Sequence, residues 1–247
     1  MASTWQIFKE IAKKKLTWED QTVKVRIDKD LPLGLRIGSM LQISSPELIL
    51  AADKLKIKAP IGDLTVIAYG TFLISPFKSH RFYVTDTKES LYTLQVVINQ
   101  EERVVGAIDE IRLFSLFDEI FTDDWIFWLG EEEGYIGLSV CDLKPEDGGT
   151  RYFRVWSNSL EEIIISENAD DKITHIPPIK FRETFYSNPF GEKTEIMEHE
   201  AMLYGRNVAE EVDEYLLLSA AEKPSETASI QIMVGIPVEP ASIKVLF

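Results

Sequence analysis

The chain has 247 residues, 45% of them hydrophobic and 11% aromatic, which is typical of a folded globular protein and unlike a disordered one. The formal net charge of −15 opposes the phosphates of nucleic acids, so we expect no DNA or RNA partner. The single cysteine, Cys141, excludes an intrachain disulfide and fits a reducing compartment. No apolar run reaches the roughly 20 residues of a spanning helix, and no signal peptide is visible. We therefore expect a cytoplasmic protein.

The first sixteen residues differ in charge from the rest, with a net charge of +3 against −18 for the remainder. Apolar side chains recur there at helical spacing after a capping-box pair, Ser3 and Gln6, which predicts an amphipathic helix over residues 4–16. Aromatic and lysine side chains in one such segment are typical of contact with an anionic membrane surface or a protein partner. Docking on the protein's own acidic residues, 101–171, is the alternative. The candidate contact residues are Trp5, Phe8, Lys9, Ile11, Lys13, Lys14 and Lys15.

Beyond this segment, alternating apolar and polar residues predict β-strands in the first half of the chain. Residues 22–27 and 54–58 alternate strictly. Residues 62–75 have the pattern of a strand that is buried on both faces or bent at Gly70. Two further strands are predicted at residues 81–85 and 91–98.

The middle of the chain is less regular. Residues 104–114 fit either a helix or a strand, and their flanking residues favour a strand. Asp123 is placed to cap a short helix over residues 125–129, which Gly130 ends.

The last part of the chain again predicts strands separated by turns. An Asp-Gly pair at 147–148 favours a tight turn between strands at 136–143 and 151–156. The consecutive prolines 177 and 178 mark an internal boundary. The strands predicted beyond it are 181–186, 193–204, 214–219 and 229–236.

These elements predict an α+β fold that is mainly β, with antiparallel sheets and hairpins, an N-terminal amphipathic helix and one or two short helices. We divide the chain into that helix at residues 1–20, a mainly β region with an acidic middle at 21–176, and a β-hairpin region at 177–247. The last two regions are expected to pack as one globular unit.

No residue pattern predicts catalysis, a cofactor or a metal site. Cys141 lies in an alternating run with nothing to lower the pKa of its thiol, so we interpret it as a buried structural cysteine. Three separated histidines, His80, His175 and His199, do not match the spacing of a zinc site. Adjacent acids such as Asp123 and Asp124 are explained by capping and solvation. We therefore favour a non-enzymatic protein without a cofactor.

Two clusters join arginine with aromatic residues, HRFY at 80–83 and RYFRVW at 151–156. Such clusters can stack on single-stranded nucleic acid, but the acidic net charge favours strands with inward aromatics and arginines paired to acids. An enzyme with a cleft lined by Arg81, Arg151 or Arg154 and by acids is an alternative that they leave open.

Six fragments, taken in order, resemble the YjfK-like family of bacterial proteins and cover most of the chain from residue 31 onward. The resemblance implies a bacterial cytosolic protein, often encoded beside a phage-shock-type membrane-coat protein and small membrane proteins. It supplies no catalytic residues. The fragments are LPLGLRIG (31–38), HRFY (80–83), RYFRVW (151–156), MLYGR (202–206), EYLLL (214–218) and VGI (234–236).

The residues and the resemblance together predict a non-enzymatic accessory protein of the bacterial cytoplasm. It would bind a protein partner and work peripherally to a stress-related assembly at the inner membrane. Two alternatives remain, namely an enzyme of the kind described above and a β scaffold that binds a small ligand or a peptide.

Overall fold

The computed structural model describes residues 25–101, 107–143, 149–157, 163–164, 172–192, 194–210, 212–222 and 227–246. Within these ranges the chain forms antiparallel β-strands and two short helices. The strands are β1 (Met40–Ile43), β2 (Leu64–Ile74), β3 (Phe77–Thr85), β4 (Leu91–Asn99), β5 (Ile108–Ile120), β6 (Val140–Leu143), β7 (Thr150–Arg154), β8 (Ile163–Ile164), β9 (Thr174–His175), β10 (Ile179–Tyr186), β11 (Thr194–Ala209), β12 (Val212–Glu222), β13 (Ser229–Pro237) and β14 (Ile243–Leu246).

Eight of these strands close into a barrel. They pair in the order β2, β3, β4, β5, β13, β12, β11 and β10, and β10 then pairs with β2. In this closing contact Thr184 lies opposite Thr71, and Tyr186 lies opposite Tyr69. Closure leaves the barrel strands without a free edge, which removes the usual template for unwanted strand pairing.

Smaller strands extend the sheet beyond the barrel. β1 pairs with the beginning of β2 and carries β14 on its other side. β7 pairs with β11 next to Gly205 and carries β6. β8 and β9 form a separate two-stranded sheet.

The central barrel strands are buried on both faces. Tyr83, Phe114 and Phe185 belong to an inner core that fills the barrel. Their strand neighbours on the opposite face, such as Phe82 and Leu113, belong to a second core outside it. Because both faces are covered, β3, β4 and β13 are buried over nearly continuous runs of residues, instead of alternating between buried and exposed ones.

Segments between the strands cover the outside of the barrel. The short helices Glu47–Leu50 and Trp125–Leu129 contribute Leu48 and Trp128 to the outer core. The second helix begins after Asp124, whose carboxylate accepts a hydrogen bond from the Phe127 amide at 3.1 Å. None of the described helices is long and apolar enough to cross a membrane.

The observed architecture corrects the predicted fold class. The α+β assignment is wrong, because the described chain is a closed antiparallel barrel with added strands and helices of only four and five residues. The amphipathic helix predicted over residues 4–16 lies outside the described residues. The short helix at 125–129 is confirmed, although its cap is Asp124 and not Asp123.

The strand predicted at 54–58 is also wrong, as is the described part of the strand predicted at 22–27. In residues 54–58 the amides of Lys56 and Ile57 donate to the carboxylate of Glu214 instead of to a neighbouring strand. Of the strand predicted at 22–27, the described residues 25–27 do not form one. There the Ile27 amide makes a single backbone hydrogen bond to Pro189. Alternation predicted the burial of Leu55 and Ile57 correctly, although Glu214 and not a neighbouring strand anchors that segment, whereas the apolar residues Val25 and Ile27 are exposed.

Candidate functional site

A cluster of ionisable side chains lies inside the barrel around Glu183 of β10, which is fully buried. Its carboxylate accepts hydrogen bonds from Arg81 Nη1 at 2.8 Å and from the Tyr83 hydroxyl at 2.6 Å. Nε2 of His199 lies 3.3 Å from Oε2 of the same carboxylate. Strand alternation explains this placement, because Glu183 points to the same face as Phe185 of the inner core.

The surroundings of Glu183 keep it ionised. Burial by itself raises the pKa of Glu183, but Arg81, His199 and Tyr83 outweigh burial and hold that pKa at about 2. Burial lowers the pKa of His199, with Arg81 acting in the same direction, so the imidazole is neutral near pH 7. Burial raises the pKa of Tyr83, and Glu183 raises it further. The ionised groups of the cluster at neutral pH are therefore Arg81 and Glu183.

Together with His199 and Glu183, Ser219 forms an arrangement that resembles the catalytic triad of a hydrolase. Its Oγ lies 2.9 Å from Nδ1 of His199, whose other nitrogen faces Glu183. A nucleophile must reach its substrate, yet Ser219 is fully buried and lines neither of the cavities described below. The negative charge of Glu183 is also balanced by the ion pair with Arg81, which weakens its ability to stabilise an imidazolium. We interpret the cluster as a structural network inside the barrel, in which Arg81 Nη2 and His199 Nε2 have no hydrogen-bond partner among the described residues.

One end of the barrel holds a cavity of about 330 Å³. It lies where the β2–β3 hairpin meets the beginnings of β5 and β10. This volume is near the lower end of the roughly 300–1,000 Å³ typical of small-molecule sites. The lining includes the polar residues Ser79, Gln95, Asp109, Glu110 and Arg112 and the apolar residues Phe77, Val97, Trp156 and Ile179.

Arg112 of β5 is the most buried charged residue of this lining, with 9% of its side chain exposed. Its guanidinium lies 4.7 Å from the ring centroid of Tyr215 and forms an ion pair with Glu110. The buried Nε has no hydrogen-bond partner among the described residues. Burial raises the pKa of Glu110, and Arg112 opposes that rise. One donor of Arg112 is therefore left for an acceptor that the described chain does not supply.

Gln95 connects the cavity with the buried cluster. It lines the cavity, and its Oε1 accepts a hydrogen bond from Arg81 Nε at 3.1 Å. The Arg81 guanidinium also lies 4.6 Å from the ring centroid of Phe72. A continuous set of polar contacts thus runs from the cavity through Gln95 and Arg81 to Glu183.

A second cavity, of about 480 Å³, lies on the outer face of the barrel beside β3. Its lining includes Lys78, His80 and Asp30. Burial, with a smaller effect from Lys78, lowers the pKa of His80 to about 4, so this imidazole is neutral at pH 7. The charged side chains here are partly or fully exposed, in contrast to Arg112. The cavity at the barrel end is therefore the stronger candidate site.

The seven contact residues predicted at the N-terminus, Trp5 to Lys15, lie outside the described residues. The three arginines of the predicted enzyme cleft are described, and the structure does not bring them together. Arg81 is inside the barrel, Arg151 pairs with Asp142 on the surface, and Arg154 donates to the carbonyl of Gly137.

Cys141 is buried, as its sequence context predicted. Burial raises the pKa of its thiol to about 11, and the thiol donates to the Tyr135 hydroxyl at 3.3 Å. Among the described residues, no group of three or more His, Cys, Asp or Glu side chains is placed to hold a metal ion.

Sequence reasoning missed Glu183, Glu110, Arg112 and Gln95. A usable signal exists for Glu183, since the alternation of residues 179–186 puts a carboxylate on the same face as two phenylalanines. Arg112 has no comparable signal, because polar and apolar residues occur on both faces of its strand. Which face lines the cavity is decided only when the barrel closes.

Comparisons with known proteins bear on the family. No curated protein and no solved structure matches the chain. A family described as "Protein of unknown function (DUF2491)" matches residues 7–244 and so spans nearly the whole chain, including every barrel strand. The coarser part of the resemblance seen in the sequence, to a family of unknown function, is thereby confirmed. The chain belongs to the DUF2491 family.

Proposed function

We propose that this protein is a non-enzymatic binding protein that holds a small ligand in the cavity at the end of its barrel. The observation that carries the proposal is the buried Arg112, whose Nε lacks a partner among the described residues beside a cavity of about 330 Å³. A buried guanidinium donor without an acceptor is costly, and Arg112 would gain an acceptor by turning toward a ligand in the cavity. Of the functions predicted from sequence, this supports the ligand-binding β scaffold.

The lining of the cavity favours binding over catalysis. It contains no histidine or cysteine among the described residues. Its best-placed carboxylate, Glu110, is engaged by Arg112. The contacts that resemble a catalytic triad lie elsewhere, at the fully buried Ser219.

A matched pair of variants tests the proposal. Ile179 lines the cavity at the start of β10, and the next residue, Lys180, is exposed on the outer face. Ile179→Trp should fill the cavity, whereas Lys180→Trp adds the same bulk outside it. Wild type and both variants would be screened by thermal shift against one fragment library, with chemical-shift perturbation of the hits.

A fragment at ten times its Kd stabilises the folded state by about 1.4 kcal/mol, which raises the melting temperature by roughly 3 to 6 °C for a chain of this size. We expect hits that stabilise wild type and Lys180→Trp but not Ile179→Trp. Hits that bind all three proteins equally, or no hits for wild type, would reject the cavity as a binding site.

The accessory role predicted from sequence is a second candidate, and exposed apolar side chains favour it. Ile126 and Phe127 of the short helix are 84% and 52% exposed, and Asp123 and Asp124 precede them. An apolar patch beside acids suits a protein partner with a basic, apolar segment. Membership of the YjfK-like family, a bacterial cytoplasmic location and work at the inner membrane belong to this same proposal.

Two measurements address this role. Quantitative pulldowns should lose a partner when Ile126 and Phe127 are both changed to Ser, and keep it when the exposed Leu73 and Phe153 are changed instead. Co-sedimentation with anionic vesicles should be stronger for the full chain than for a chain starting at Thr17 if Trp5 and the N-terminal lysines contact lipid. The accessory role would be ruled out if both double variants captured the partner equally and both chain lengths bound the vesicles equally.

A further inference from the structure

In the ion pair beside the cavity at the barrel end, Arg112 keeps a donor without an acceptor and Glu110 keeps an oxygen without a donor among the described residues. Arg112 and Glu110 are two residues apart on β5 and therefore point to the same face of the sheet. Arg112 has an unpartnered Nε among the described residues, so it lacks one acceptor. Glu110 accepts from Arg112 through Oε2 and keeps 26% of its side chain exposed. Its second oxygen is therefore available to a donor.

A second carboxylate adjoins the pair. Asp109 is exposed and also lines the cavity, so among the described residues the charged lining consists of one cation and two anions. A ligand carrying only a negative charge would satisfy Arg112 but would be repelled by the excess of carboxylate. A ligand carrying only a positive charge would leave the Nε of Arg112 without an acceptor.

Besides the charged groups, the lining has uncharged polar residues, Ser75, Ser79, Gln95 and Ser157, and a larger apolar part. Phe77, Val97, Trp156 and Ile179 contribute aromatic and aliphatic surface close to the charged groups. A ligand that fits both parts has two opposite charges on neighbouring atoms and a compact apolar group.

We infer that the cavity takes a zwitterionic ligand of the α-amino-acid type. Its carboxylate would accept from Arg112, its ammonium would donate to Glu110 and Asp109, and its apolar side chain would contact Trp156 and Phe77. This assignment rests on the proposed binding function, and it adds the ligand class.

Matched probes test the ligand class on the full chain without any mutation. L-phenylalanine has both charges, its methyl ester lacks the carboxylate, and N-acetyl-L-phenylalanine lacks the ammonium. Isothermal titration calorimetry at pH 7 would give the Kd of each, with L-leucine as a smaller zwitterion. We expect each single-charge probe to bind at least about tenfold more weakly than L-phenylalanine, since each loses a charge-assisted hydrogen bond.

Two variants of β5 test whether the ammonium of the ligand binds at this cavity. Glu110→Gln should weaken L-phenylalanine binding and leave the N-acetyl derivative bound at least as tightly, because the ammonium loses its carboxylate while Arg112 loses a competing ion pair. Asp118→Asn removes a carboxylate from the same strand but lies toward the opposite end of the barrel, and it should change neither affinity.

The outcomes separate the ligand class from the binding function. Equal affinity for L-phenylalanine and either single-charge probe would overturn the zwitterion assignment. Absence of binding by both amino acids would also overturn it. In either case fragment hits that the Ile179→Trp variant abolishes would leave the proposed binding function standing.

Discussion

Gly70 gives the sharpest test of the buried cluster. It lies on β2 opposite Arg81 of β3 and Phe185 of β10, with its missing side chain directed at Glu183. A Cβ at this position would lie 1.8 Å from Oε1 of Glu183 and 2.7 Å from its Cδ. Gly70→Ala therefore forces the carboxylate to move away from Arg81 and Tyr83.

The expected loss follows from what the carboxylate would leave behind. Breaking a buried ion pair costs about 3–5 kcal/mol, and inserting a methyl group into a packed core costs roughly 1–3 kcal/mol. Because a displaced carboxylate can keep part of its contact with Arg81, we expect Gly70→Ala to lower the free energy of unfolding by about 3 kcal/mol. That is a large part of the roughly 5–15 kcal/mol typical of a folded domain.

Urea denaturation followed by circular dichroism measures this loss, and a double-mutant cycle identifies its cause. Glu183→Ala removes the atoms that a Cβ at position 70 would meet, so Gly70→Ala should cost less than about 1 kcal/mol in that background. Gly205→Ala is the control, since a Cβ there lies no closer than 3.0 Å to Val155 and 3.4 Å to Tyr215. Additive losses from Gly70→Ala and Glu183→Ala would refute the reasoning.

Three further predictions concern pH, a second buried ion pair and the thiol. The pKa of Glu183 is about 2 in the fold against an ordinary 4.5, so its stabilisation is complete above about pH 4.5 and is lost as the pH falls toward 2. Urea titrations should show that the difference in free energy of unfolding between wild type and Glu183→Gln narrows as the pH falls from about 4.5 toward 2. A constant difference would contradict this prediction. Glu214 is fully buried and accepts from Arg206 at 2.7 Å and Tyr152 at 2.7 Å. Glu214→Gln should therefore cost about 2–3 kcal/mol, somewhat less than a fully buried pair because 18% of the Arg206 side chain is exposed. An unchanged urea midpoint would argue against this role. Cys141, buried and with a thiol pKa of about 11, should react with a thiol reagent at pH 8 only after unfolding. Fast labelling of the native protein would contradict its burial.

Strand positions were largely predictable because they depend on local pattern. Residues 62–75 showed an apolar run interrupted by Gly70, and β2 is indeed buried on both faces. The short helix at 125–129 followed from its cap and from the glycine after it. The strand predicted at 54–58 failed because the same alternation serves a segment anchored by Glu214, which is distant in sequence. A local pattern reports burial, and it does not report which partner provides the burial.

The candidate site was not predictable in the same way. The cavity is bounded by strands from both halves of the sequence, and the buried cluster next to it joins Arg81 to Glu183 across 102 residues of chain. The sequence predicted one cleft for Arg81, Arg151 and Arg154, because each arginine lies in a cluster with aromatic residues. Only pairing decides which faces meet, and two of these arginines turned out to lie outside the barrel.

By itself, the sequence determined that this is a mainly β protein of strongly acidic charge, with most strand positions and the burial of Cys141. Those properties follow from composition and from the two-residue period of a strand. The tertiary structure alone decided that the sheet closes through β10 and β2, that Glu183 is ionised inside it, and that Arg112 faces a cavity. Closure depends on pairing between distant segments, and only closure turns a strand face into the interior of a barrel.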